Sequence, residues 1–170
     1  MQKPVCYLDL DDTLTRRTAE LPSGKAAPGA SDFLRFLLRH FEVRWLTMWC
    51  PDGNMHEEGL GWLESFFGIP RDELRHVRNM RSFTIAEGTR FKWEAINFTE
   101  AQTGRPFVWL EERLHEADVE HMERHGCRDC FIECDVTANP YRLAEVREIL
   151  TERFALEDEL LAASSMACAN

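Results

Sequence analysis

Apolar residues in this chain fall into two alternating patterns: short continuous runs, and longer stretches repeating every three to four positions. Val5-Cys6-Tyr7-Leu8 is the first run, and its continuity predicts a strand buried on both faces of a parallel sheet. Ala30, Phe33, Leu34, Leu37, Leu38 and Phe41 recur at helical spacing, which predicts an amphipathic helix packed on that sheet. Phe41 to Thr47 predicts a second strand, and Met55 to Phe67 a helix closed by Gly68 and Pro70. Residues 71–91 carry no clear period and read as a short strand plus loop. A helix is predicted from Phe91-Lys92 towards Gln102, stopped by Gly104 and Pro106. Phe107-Val108-Trp109-Leu110 predicts another buried strand, Leu114 to His125 a helix, and Cys130 to Asp135 a strand. Leu143, Val146, Leu150 and Phe154 place a last helix over Tyr141 to Phe154. Between the first strand and first helix, Thr15 to Gly29 reads as a polar loop bearing Pro and Gly. This alternation predicts an α/β domain over residues 1–156, a three-layer Rossmann-like parallel sheet with helices on both faces. Residues 157–170, acidic and then small and polar, are expected to fray.

Composition narrows the class without changing the fold. A chain of 170 residues with 44% hydrophobic and 29% charged side chains suits one globular domain with a sizeable core. No apolar stretch approaches the roughly 20 residues of a membrane span. The N-terminal apolar run ends in acids, unlike a signal peptide. Thirty acidic against twenty basic residues, a formal charge of −10, disfavour general attraction to nucleic acid or anionic membrane. A polyanionic substrate would therefore need a local basic patch. The six cysteines show no disulfide framework and read as reduced thiols of a cytoplasmic protein.

Chemistry enters at the end of the first strand, where Leu8 runs into Asp9-Leu10-Asp11-Asp12-Thr13. Such a cluster is often a solvated turn or a helix cap. A calcium loop is excluded, because the position needing glycine for its sharp turn holds Leu14 and a strand precedes it. Carboxylates at the carboxyl end of a buried strand sit where open α/β sheets bind ligands, and their charge calls for a cation. Three more predicted element ends bring matching groups. Thr47 closes the second strand and offers a hydroxyl to a phosphate oxygen. Lys92 opens a helix and offers a cation. Glu111 and Glu112 close a further strand and offer carboxylates to Mg2+. In this arrangement Asp9 acts as a carboxylate nucleophile on phosphorus, and Asp11 protonates the leaving oxygen and later activates water.

The order Asp9-Leu10-Asp11-Asp12-Thr13, Thr47, Lys92, Glu111-Glu112 resembles the four motifs of the haloacid dehalogenase-like superfamily of phosphohydrolases, over roughly residues 4–155. The resemblance implies that Asp9 is nucleophile and magnesium ligand. It makes Asp11 the acid/base, lending its backbone carbonyl to the metal. Thr47 and Lys92 bind phosphate, and Glu111 or Glu112 completes the metal shell. An aspartate two residues after the nucleophile is the pattern of the phosphatase branches, not of dehalogenases. One departure stands out: the last motif is usually a pair of aspartates, here glutamates one methylene longer. Asp12 stands where glycine is often found, but aspartate is also common there in the superfamily. Neither Thr15–Gly29 nor Met48–Phe91 is large enough for a full cap module, so the resemblance implies a capless member with an open site. Thr47-Met48-Trp49 with Asn54, and Trp109 before the acidic pair, also resemble a small bacterial branch associated with RNA repair.

The expected activity is thus Mg2+-dependent hydrolysis of a phosphomonoester, on a small molecule or a macromolecular end. Two alternatives stay open: a catalytically weak binding or scaffold domain, from the glutamate pair, and a phosphatase of nucleic-acid ends, from Arg71, Arg75, Arg78 and Arg81 with His76. Those arginines read first as a solvated face. His121, His125, Cys127, Cys130 and Cys134 have spacing that suits zinc, although cysteine within a strand more often packs as a small hydrophobe. Trp45, Trp49, Trp62, Trp93 and Trp109 read mainly as core, with Trp49 the one placed to stack on a base. The oligomeric state leaves no mark in the sequence.

Overall fold

Val5, Cys6, Tyr7 and Leu8 are all fully buried, as a strand covered on both sides requires, and they run through the centre of a five-stranded sheet. The computed structural model describes residues 2–18, 21–47, 49, 55–75, 77–79, 85–86, 89–90, 92–96 and 104–156. In chain order the strands are β1 (Val5–Leu8), β2 (Thr15–Thr18), β3 (Leu21–Ala26), β4 (Glu42–Trp45), β5 (Arg78–Asn79), β6 (Ile85–Ala86), β7 (Thr89–Arg90), β8 (Phe107–Glu111) and β9 (Phe131–Glu133). The helices are α1 (Ala30–His40), α2 (Glu57–Phe67), α3 (Arg71–Arg75), α4 (Glu116–Arg124) and α5 (Arg142–Phe154). The main sheet has the order β5-β4-β1-β8-β9, and every pairing in it is parallel. Leu8, the last residue of β1, lies opposite Trp45 and Leu110, so three strands end together at one edge.

Alternation along β1 sends its side chains into two cores. Cys6 and Leu8 pack with Phe33, Leu34 and Leu37 of α1, Leu60 and Leu63 of α2, and Val146 and Leu150 of α5. Val5 and Tyr7 pack on the other face with Trp93, Ile96 and Met122 of α4. The molecule is therefore α/β, a parallel sheet flanked by helices and compatible with a Rossmann-like fold. At the end of α2, Gly68 adopts φ +60, a left-handed turn that glycine takes without a Cβ penalty, and its N–H closes on the Glu64 carbonyl. No helix among the described residues is long and apolar enough to cross a membrane.

Four stretches differ from the sequence expectation. Thr15 to Gly29 is not a plain loop: β2 and β3 pair in it as an antiparallel hairpin whose register shifts between Arg16 and Thr18. The hairpin stands apart from the main sheet, and its polar residues carry no alternation to betray it. Residues 71–91 hold α3, the edge strand β5 and the two-residue strands β6 and β7, all too short to establish a period. The described part of the helix expected after Phe91 is a single 3-10 turn, Lys92–Ala95, and residues 97–103 lie outside the described residues. The strand expected from Cys130 begins at Phe131, because Arg128–Cys130 makes a 3-10 turn first. The 157–170 tail also lies outside the described residues.

Candidate active site

The chain leaves β1 at Leu8, and the Asp9 N–H donates to the Leu110 carbonyl at 3.1 Å, which fixes Asp9 between β1 and β8. On the other side the Leu46 N–H donates to the Leu8 carbonyl at 2.8 Å, bringing the next residue, Thr47, to the same edge. The loop then turns back on itself: Leu14 and Thr15 both donate their N–H groups to the Leu10 carbonyl at 2.9 Å. Asp12 sits at φ +57, in the left-handed region that aspartate tolerates better than most side chains. Its carbonyl accepts from the Val136 N–H at 2.9 Å, and its Oδ1 accepts from the Thr137 hydroxyl at 2.9 Å. Asp12 thus latches the loop to the segment beyond β9.

Three ionisable side chains meet in the interior at this edge. Asp9, Glu111 and Lys92 expose only 3%, 5% and 8% of their surfaces. Lys92 Nζ lies 2.7 Å from Asp9 Oδ1 and also bonds Glu111 Oε1, so one ammonium serves two buried carboxylates. The other Glu111 oxygen, Oε2, accepts from Trp109 Nε1–H at 3.0 Å. Burial pushes the Asp9 carboxyl up to about 6 against the pull of Lys92, and the charges of Glu112 and Asp11 add to the rise. Burial likewise raises Glu111 well above the usual carboxylate range, with Asp9 adding and Lys92 opposing. Burial works against the Lys92 ammonium, but the two carboxylates outweigh it and its pKa lies above the ordinary lysine value.

Lys92 owes its place to a residue that sequence reasoning passed over. Its 3-10 turn is held where the Trp93 N–H donates to Asp118 Oδ1 at 3.0 Å, and Asp118 is buried on α4. The signal existed: Asp118 and Met122 are both buried, four apart on one face, and an aspartate on a buried helix face needs a partner. The bond from Trp109 to Glu111 had a signal too, since residues two apart on one strand face the same side.

Carboxylate oxygens of Asp9, Glu111 and Glu112 lie within 4.8 Å of one another, the one such potential metal-binding group among the described residues. Glu112 Oε2 is buried with no hydrogen-bond partner among them. An all-oxygen donor set with one unsatisfied buried oxygen fits a hard divalent cation such as Mg2+. The side chain of Asp11, expected near the metal through its carbonyl, is not in this group. Its Oδ2 accepts from Trp49 Nε1–H at 3.2 Å. Thr47 is buried, and its hydroxyl oxygen faces the Trp49 N–H at 3.5 Å, at the limit of a hydrogen bond.

The other suspicious clusters stay apart. His121, His125, Cys127, Cys130 and Cys134 are not brought together as a metal-ligating group. Cys134 is buried against the Thr13 carbonyl, and burial holds its thiol at about 12, far from a ready thiolate. Arg71 bonds Glu64 and Arg75 bonds Glu57, so both belong to a solvated, charge-balanced face of α2 and α3. Arg81 and His76 lie outside the described residues, as do Met48 and Asn54. No family model, curated protein or solved structure matches the chain.

Proposed function

We propose that this protein is a Mg2+-dependent phosphomonoesterase of the haloacid dehalogenase-like type, working through an aspartyl-phosphate on Asp9. The observation that carries the reading is the pairing of Lys92 with both Asp9 and Glu111, beside a third carboxylate, at the edge where β1 and β8 end. One buried ammonium does not balance Asp9, Glu111 and Glu112, and a divalent cation would cancel the remaining two negative charges. Asp9, Glu111 and Glu112 would hold the cation, which when bound neutralises charge on the phosphoryl oxygens. In the first step an Asp9 oxygen forms a bond to phosphorus while the bond from phosphorus to the leaving oxygen breaks. Asp11 gives its proton to that leaving oxygen. Water then attacks phosphorus, Asp11 takes the proton, and Asp9 is released with inorganic phosphate. Lys92 keeps Asp9 in position and offsets its charge, and the Thr47 hydroxyl is at hand for a phosphate oxygen.

Arg71 and Arg75 are already engaged by acids of α2, which favours small phosphorylated molecules over nucleic-acid ends. The free thiols of Cys6, Cys127, Cys130 and Cys134 suit a cytoplasmic location. With magnesium the protein is expected to hydrolyse 4-nitrophenyl phosphate, and EDTA to stop it. Asp9→Asn is expected to lower kcat by roughly a thousandfold or more. Turnover by Asp9→Asn at the wild-type rate would remove Asp9 as nucleophile. A preference for 3′- or 5′-phosphorylated oligonucleotides over sugar phosphates would restore the nucleic-acid reading.

A further inference from the structure

A general acid must present its proton along the line to the leaving oxygen, and an aspartate side chain has two rotatable bonds with which to miss. Asp11 is only partly buried, so packing alone does not fix its carboxylate. An indole reaches it: Trp49 Nε1–H donates to Asp11 Oδ2 at 3.2 Å. Indole nitrogen is a donor only, so this contact always offers a hydrogen to a carboxylate oxygen and cannot reverse.

The indole is itself held. Its ring meets Trp62 edge-on at 5.5 Å and 84° and Phe66 at 6.3 Å and 67°, both on α2, and it packs on the larger core. Its backbone N–H also faces the Thr47 hydroxyl oxygen. One residue therefore touches the acid/base with its side chain and the phosphate-binding threonine with its main chain. Trp62 closes the outer side of the cluster and is 48% exposed.

We propose that Trp49 is a positioning residue that aims the Asp11 carboxylate at the leaving oxygen. The inference rests on the phosphatase reading for its chemical consequence, while the hydrogen bond can be tested without turnover. As Asp9 bonds to phosphorus, the electron pair of the breaking bond goes to the leaving oxygen. An alkoxide needs the Asp11 proton at that moment, whereas 4-nitrophenolate departs without it. Loss of aim therefore penalises alkyl phosphates selectively, which loss of stability does not do.

Trp49→Phe keeps an aromatic ring against Trp62 and Phe66 and removes the donor together with the pyrrole part of the indole. In the magnesium-loaded protein, the ratio of kcat for 4-nitrophenyl phosphate to kcat for an alkyl phosphate is expected to rise about tenfold or more over wild type. Trp62→Phe, which leaves the indole N–H of Trp49 in place, is expected to keep the wild-type ratio. An unchanged ratio in Trp49→Phe, or an equal rise in Trp62→Phe, would overturn the proposal. Independently, the Trp49 indole N–H resonance in a 15N–1H spectrum is expected to shift in Asp11→Asn more than those of Trp45 and Trp93. A Trp49 signal indifferent to Asp11→Asn would overturn the contact itself, even in an active enzyme. Wild-type protein that hydrolyses neither phosphate would remove the phosphatase reading and this inference with it, a result distinct from an altered variant ratio.

Discussion

Lys92 is the residue on which the interior charge depends. It is the cation that Asp9 and Glu111 share, and neither carboxylate is exposed enough for water to replace it. Lys92→Met keeps the stem and removes the charge, leaving two buried carboxylates unpaired. Chemical denaturation in EDTA is expected to register a loss of about 3 kcal/mol, the scale for breaking one side of a buried ion pair. A loss below about 0.5 kcal/mol would mean the pairing is energetically idle. Asp9, Thr47, Lys92 and Glu111 were legible in the sequence because each ends or opens an element, and element ends gather at one sheet edge. The partners were not legible. That Lys92 bridges Asp9 and Glu111, or that Trp49 reaches Asp11 across 38 positions, depends on side-chain directions that no sequence period encodes.

At the scale of elements, the turn carrying Lys92 is only as firm as its tie to α4. Asp118→Ala leaves the buried Trp93 N–H without its acceptor and is expected to cost about 1–3 kcal/mol. Asp118→Asn keeps a carbonyl acceptor and removes a buried charge. Burial raises the folded-state pKa of Asp118, opposed by the Trp93 N–H and by the charges of His115, Lys92 and His121. Because the folded pKa lies above the unfolded value, ionised Asp118 costs stability at neutral pH. That cost fades as pH falls through the raised pKa towards the ordinary 3.8. Thermal melts are thus expected to find Asp118→Asn at least as stable as wild type at pH 7, with the gap closing towards pH 4. A gap that widens on acidification would reverse the assignment. Long helices such as α1 and α5 could be read from periodicity, whereas α3 buries Leu74 alone, the 3-10 turn at Arg128–Cys130 buries no side chain and β5 spans two residues, so none of them leaves a pattern to read.

The whole molecule explains why the site lies where it does. Counted in chain order, the five strands of the main sheet run 3-2-1-4-5, so connections leave the first strand in opposite directions on its two sides. Ligands bind in doubly wound sheets at such a switch point, here the crevice between the ends of β1 and β8. Since the cation would join carboxylates from both strands, its binding adds to the stability of the folded sheet. Magnesium at about a hundredfold over its dissociation constant is expected to add roughly 2.7 kcal/mol. For a chain of this size that raises the Tm by about 5–10 °C. Glu112→Gln is expected to lose most of that shift, and a wild-type Tm indifferent to magnesium would leave the three carboxylates without a cation.

Asp12 has a consequence for how related sequences vary. Its left-handed backbone admits glycine, asparagine and aspartate at little cost, and a β-branched residue only with strain. The bonds to Val136 and Thr137 then separate these three: asparagine keeps a side-chain acceptor for the Thr137 hydroxyl, while glycine keeps only the backbone half of the latch. Drift at this position is therefore channelled by geometry. An acid at this position serves the shape of the chain through its backbone conformation and its bond to Thr137.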